Sequence, residues 1–130
     1  MGHVPDAHRS PKAPRDRTWD WGEDVSGNLD ELLGHGGWHA LALAHAWYDP
    51  AEDPAHDPPQ EKGAYKLPHH EVIDGRLRVV WRGVVAAMTV INGARGGVDL
   101  PAGDRRAVYE HLAAHYRQFR EEPPELAGDG

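Results

Sequence analysis

Apolar residues recur at helical spacing in four places along this 130-residue chain. Leu29, Leu32 and Leu33 form a short first stripe that Asn28 can cap and that Gly34, Gly36 and Gly37 end. A second helix is predicted from about Trp38 to Tyr48, with Trp38, Leu41, Ala42 and His45 on one face, Leu43 and Trp47 widening it, and Asp49-Pro50 stopping it. A third is predicted from Arg82 to Asn92, where Val84, Val85, Met88 and Ile91 make the buried stripe and Gly93 supplies a left-handed stop. The last runs from near Pro101 or Asp104 to Phe119, with Val108, Leu112, His115 and Phe119 on one side and Pro123-Pro124 closing it.

Between the second and third helices the period changes. Pro68 biases Leu67 away from helix, so Tyr65 to His70 reads as extended. Asp74-Gly75, set between Val72-Ile73 and Arg76-Leu77, fits the two-residue turn of a hairpin. The predicted fold class is therefore α+β, mainly α: a small helical domain with one short β-hairpin, and with the histidine-bearing extended segment crossing the last helix.

Polar stretches set the boundaries. Residues 1–17 are rich in Pro, Arg and Asp without periodicity and read as a disordered tail. One domain spans 18–126, with a second short tail at 127–130. A Pro- and acid-rich segment at 50–63 interrupts the domain and reads as a mobile loop.

Composition narrows the function classes. The chain has no cysteine, which excludes disulfides, thiolate metal sites and thiol nucleophiles. Its serines are Ser10 in the tail and Ser26 in a glycine-flanked turn, and neither sits in a nucleophile elbow. No apolar run reaches the roughly 20 residues of a membrane span. Nor do the first 30 residues carry a signal-peptide core. The expectation is a soluble chain, in the host-cell cytoplasm or associated with a virion.

The net charge of −7 lies entirely in residues 1–64, whereas 65–130 balances nine acids against nine bases, eight of them arginine. An acidic whole disfavours nucleic acid as a partner, although the C-terminal arginines leave that reading as an alternative.

Ten histidines are the main chemical resource. His111 and His115 stand four apart on a predicted helix, a spacing that suits a divalent metal. His69 and His70 could add ligands if their segment crosses that helix, and Glu71 or Glu110 could add oxygen. A zinc-protease motif would need glutamate after His111, and Leu112 stands there. The residues favour packed or solvated imidazoles over a metal site, so the reading calls for no cofactor and names no catalytic residue. His35 and His39 are also four apart, but glycines break their helix. Asp99 and Asp104 read as caps of the last helix. Asn92-Gly93-Ala94-Arg95-Gly96-Gly97 lacks the ending of a phosphate loop and reads as a corner that projects Arg95.

Tyr65-Lys66-Leu67-Pro68-His69-His70, Trp81-Arg82-Gly83-Val84-Val85-Ala86-Ala87-Met88, Asn92-Gly93-Ala94-Arg95-Gly96-Gly97 and Tyr109-Glu110-His111-Leu112-Ala113-Ala114-His115-Tyr116 together resemble a small domain of tailed phages and prophages. Such domains occur beside, or fused to, capsid maturation (prohead) proteases. The resemblance covers about half the chain and implies an accessory module of head morphogenesis, with no catalytic residue to transfer. The expected activity is non-enzymatic binding of a protein partner through Tyr65, Lys66, His69, His70, Arg95, His111, His115 and Tyr116. A histidine-metal enzyme or regulator is the alternative.

Overall fold

The computed structural model describes residues 2–5, 11–19, 25–93 and 100–127, apart from the side chains of Val25, Ser26 and Ala102. In chain order the elements are α1 (Val25–Ala44), β1 (His45–Tyr48), β2 (Tyr65–Pro68), β3 (His70–Ile73), β4 (Arg76–Val79), α2 (Trp81–Ile91) and α3 (Ala102–Gln118). The class is α+β. Instead of one hairpin there are two antiparallel pairs, β1 with β2 and β3 with β4.

The first stripe and the second predicted helix form one element, α1, with a kink. Gly36 and Gly37 leave helical geometry, and Gly37 takes a φ of 68° that favours glycine. Asn28 lies inside α1 and does not cap it. The second half ends at Ala44, four residues before the expected Tyr48. His45-Ala46-Trp47-Tyr48 is buried on both faces and pairs with Tyr65–Pro68 in the register Trp47 to Lys66 and Tyr48 to Tyr65. A short run buried all round carries no period that separates strand from helix, so strand pairing decided it.

Because successive strand residues face opposite ways, Trp47 enters a core with Val84, Met88, Leu112, Tyr116 and Phe119. Tyr48 enters a second core under α1, with Leu32, Leu41 and Tyr65. β1 is thus the partition between the two.

The Asp-Gly turn forms as predicted. Ile73 pairs with Arg76, and both Asp74 (φ 54°) and Gly75 (φ 74°) take positive φ, as a primed turn requires. α2 packs on α3 and stops at Gly93 (φ 106°). α3 ends before the prolines. Arg120, at φ 61°, reverses the chain while Glu121 N–H donates to the Tyr116 carbonyl (2.9 Å) and Arg120 N–H to that of Arg117 (2.9 Å). These are the two bonds of a Schellman cap, built on arginine where glycine is usual.

Described residues of the predicted tail and of the predicted loop make specific hydrogen bonds. In the 50–63 loop, Asp53 accepts from Gln60 N–H (2.9 Å) and pairs with His56 (2.8 Å). The Tyr65 hydroxyl donates to the carbonyl of buried Pro59 (2.7 Å). In the N-terminal segment, His3 and Tyr48 exchange backbone bonds of 2.7 and 3.0 Å beside β1. Ala13 N–H donates to Val79 and Val79 N–H to Pro11, both at 2.9 Å, beside β4. Backbone pairing to strand edges needs no apolar periodicity, which is why composition did not show it. Among the described residues no helix is long and apolar enough to cross a membrane.

Candidate functional site

His69 and His70 sit at the junction of the two sheets. Neighbouring residues of one regular strand point to opposite faces, yet these two rings lie 4.6 Å apart by centroid. The strand breaks between them: His69 belongs to neither β2 nor β3, and its N–H and carbonyl bond to Ala44 O (2.9 Å) and Val80 N (3.0 Å). Just upstream, Leu67 takes a φ of 66°. A buried leucine in the left-handed region costs on the order of 1–2 kcal/mol, a strain that turns the chain into the junction.

From the other side, α3 delivers His111 and His115 from consecutive turns of one face, with centroids 5.1 Å apart. His69 meets both, at 5.1 Å from His111 and 5.0 Å from His115, and His70 lies 5.5 Å from His115. All four rings are buried, with relative exposures of 0 to 4%. Nitrogens of His69, His70 and His115 lie within 4.8 Å of one another.

Hydrogen bonds fix the protonation of three rings. His69 Nδ1 is 3.0 Å from the Leu67 carbonyl and His111 Nδ1 is 2.6 Å from the Pro5 carbonyl. A carbonyl oxygen can only accept, so each Nδ1 carries the hydrogen. His115 Nδ1 meets Gln118 Oε1 at 3.0 Å in the same way. Burial holds the His69 pKa well below the usual imidazole range, and repulsion from His70, His111 and His115 adds to it, against the Leu67 bond. His69 is therefore neutral at pH 7. Its Nε2 nevertheless lies 3.1 Å from His111 Nε2. With each Nδ1 turned to a carbonyl, the two Nε2 atoms face each other, an arrangement that a proton or a metal ion between them would make attractive.

The remaining predicted site residues lie elsewhere. Tyr65 and Tyr116 are buried in separate cores, and Tyr116 packs edge-on against Trp81 at 4.9 Å. Lys66 is half-buried with its ammonium 5.4 Å over the Trp47 ring. Arg95 and Asp99 lie outside the described residues. Six of the eight expected docking residues are thus covered, and they do not make a solvent-facing surface. Aromatic rings and imidazoles here fill space that the small chain has few aliphatics to fill.

Neither candidate carboxylate joins the cluster as an uncommitted oxygen donor. Glu71 is buried and paired with Arg17 (3.1 Å), and Glu110 is exposed and pairs with Arg106 (3.6 Å). Asp104 is buried but caps nothing: its Oδ2 accepts from the Trp47 indole (3.0 Å) and Gly2 N–H (2.7 Å). Sequence reasoning missed Pro5 and Gln118, the partners that orient His111 and His115. The i,i+3 spacing of His115 and Gln118 on a helix was a readable signal, whereas nothing in the sequence pointed to Pro5.

No protein-family model matches the chain, and no significant match is found among curated proteins or solved structures.

Proposed function

We propose that this chain is a non-enzymatic binding module of phage type that engages a protein partner in head assembly. The observation that carries the reading is enclosure: the four histidines best suited to chemistry are at most 4% exposed, so substrate has no route to them. The described hydroxyl of Thr89 adds no nucleophile, since it is bonded back to the Ala86 carbonyl at 2.9 Å. The resemblance of Tyr65–His70, Trp81–Met88 and Tyr109–Tyr116 to prohead-protease-associated domains supports the setting.

With the histidines inside, contact falls to exposed groups. Arg82 on α2 and Arg106 and Arg117 on α3 are exposed, and arginine forks suit carboxylates of a protein partner. Pairwise titration of the purified chain against phage portal, prohead protease and major capsid proteins tests the proposal. Saturable binding to one of them, weakened at least about tenfold by Arg82→Glu or Arg117→Glu with no change in Tm, is expected. Absence of binding to all three rejects it.

A further inference from the structure

Bond lengths give a scale for the histidine cluster. A zinc ion takes imidazole nitrogen at ~2.0–2.1 Å in a tetrahedron. That places ligand nitrogens ~3.3 Å apart and, with each ring centre about 1.1 Å behind its nitrogen, ring centroids ~5 Å apart. Five of the six centroid separations among His69, His70, His111 and His115 run from 4.6 to 5.5 Å. The His69–His111 nitrogen separation is 3.1 Å. Five of the six ring pairs thus hold the spacing that a tetrahedral ion imposes, and nitrogens of His69, His70 and His115 lie within 4.8 Å of one another.

Outer contacts agree. Metal-bound histidine usually donates its second ring N–H to a carbonyl or carboxylate, which fixes the tautomer and aims the other nitrogen at the ion. Leu67 and Pro5 carbonyls and the Gln118 amide oxygen do this for His69, His111 and His115. In all three the nitrogen left to bind is Nε2.

We propose that His69, His70 and His115 bind a divalent transition metal, best fitted by Zn²⁺, with His111 completing the set on the His69 side. An all-imidazole donor set suits Zn²⁺ among the available ions. An ion at the centre would also bridge the facing Nε2 atoms of His69 and His111, 3.1 Å apart. Full enclosure marks the centre as structural, since a catalytic zinc keeps an open position. Because the ligands come from the sheet junction and from α3, with Pro5 behind His111, the ion pins three parts of the chain together. The inference stands independently of partner binding.

The test uses the full chain, stripped with chelator and then given Zn²⁺ or Co²⁺ alone. One equivalent of Zn²⁺ should survive gel filtration and raise Tm, and Co²⁺ should give the intense visible bands of a four-coordinate ion. His70→Gln or His115→Gln should weaken Zn²⁺ affinity by about 100-fold or more. Gln118→Ala, which leaves every ligand in place, should weaken it ~10–100-fold without changing the unfolding curve of the metal-free chain. That variant and the native Co²⁺ spectrum decide the matter even if a ligand variant fails to fold. Changing the exposed pair His35 and His39 to Gln should leave stoichiometry and affinity unchanged. A native chain that stays folded and takes up neither ion overturns the proposal and assigns the His69–His111 contact to a proton. Loss of binding on changing His35 and His39 overturns it as well.

Discussion

The indole Nε1 of Trp47 donates to Asp104 Oδ2 across 3.0 Å, tying the partition strand β1 to the first turn of α3. The same oxygen accepts from Gly2 N–H at 2.7 Å. Both Trp47 and Asp104 are buried, at 4% exposure each. Asp104→Ala leaves the indole N–H without its acceptor and removes a charge suited to a helix N-terminus, so it should cost about 2–3 kcal/mol. Asp104→Asn retains an acceptor and should cost less. Urea unfolding of the two variants measures the difference. Equal stability of Asp104→Ala and the native chain would show that the bond contributes nothing.

His45 makes stability depend on acidity. Burial lowers its pKa to about 4, opposed by its Nδ1 bond to the Leu41 carbonyl (2.7 Å). The unfolded chain takes up this proton near pH 6.5 and the folded chain only near 4, so between those values the unfolded state binds more protons. Stability therefore falls as pH drops through that window and levels off below it, by up to roughly 3 kcal/mol from this group. Denaturant midpoints at pH 7.5, 5.5 and 4.5 test the slope, and His45→Gln should reduce it, leaving the part that buried His69 contributes in the same direction.

Gly83 has no room for a methyl group. A Cβ there would lie 2.9 Å from Trp19 Cε3 and Cζ3. Gly83→Ala should destabilise by about 1–3 kcal/mol through overpacking, more than the ~1 kcal/mol that helix propensity returns. The loss should disappear in a Trp19→Ala background, a coupling that a double-mutant cycle reads directly.

Arg120 offers a gain. It holds the Schellman reversal at φ 61° with its side chain exposed. Arg120→Gly removes the left-handed penalty and should raise stability by about 1 kcal/mol, seen as a higher Tm. A lower Tm would mean that the arginine side chain contributes more than its backbone costs.

Core and surface leucines should separate cleanly. Leu112 is fully buried on α3 and Leu43 is 40% exposed. Leu112→Ala should cost about 2–5 kcal/mol, whereas Leu43→Gln should stay within about 0.5 kcal/mol. Chemical denaturation of both variants checks the contrast.

Much of the fold was legible where a single local rule governs. Asp74-Gly75 dictates its turn, Gly93 stops α2, and the 4-3-4 spacing of Val108, Leu112, His115 and Phe119 predicts the buried side of α3. Convergence of His69 with His111 and His115 was anticipated as a crossing of two segments. What stayed hidden depends on partners distant in sequence. His45–Tyr48 became strand because Tyr65–Pro68 lies beside it. Residues 2–5 and 11–13 carry no hydrophobic period because backbone groups hold them. The cluster was undervalued for a related reason: its enclosure depends on residues distant in sequence, Pro5 against His111 among them, and no local pattern encodes it.

The backbone bonding of His3 beside Tyr48 and of Lys12 beside Val79 also bears on self-association. A two-stranded ladder presents bare donors and acceptors along its rim, a template on which a second molecule can pair. His3 shields a rim of the first ladder, antiparallel to it, and Lys12 a rim of the second, parallel to it. Without those bonds both rims would be open to pairing, so closing them falls to backbone groups rather than to any reactive side chain.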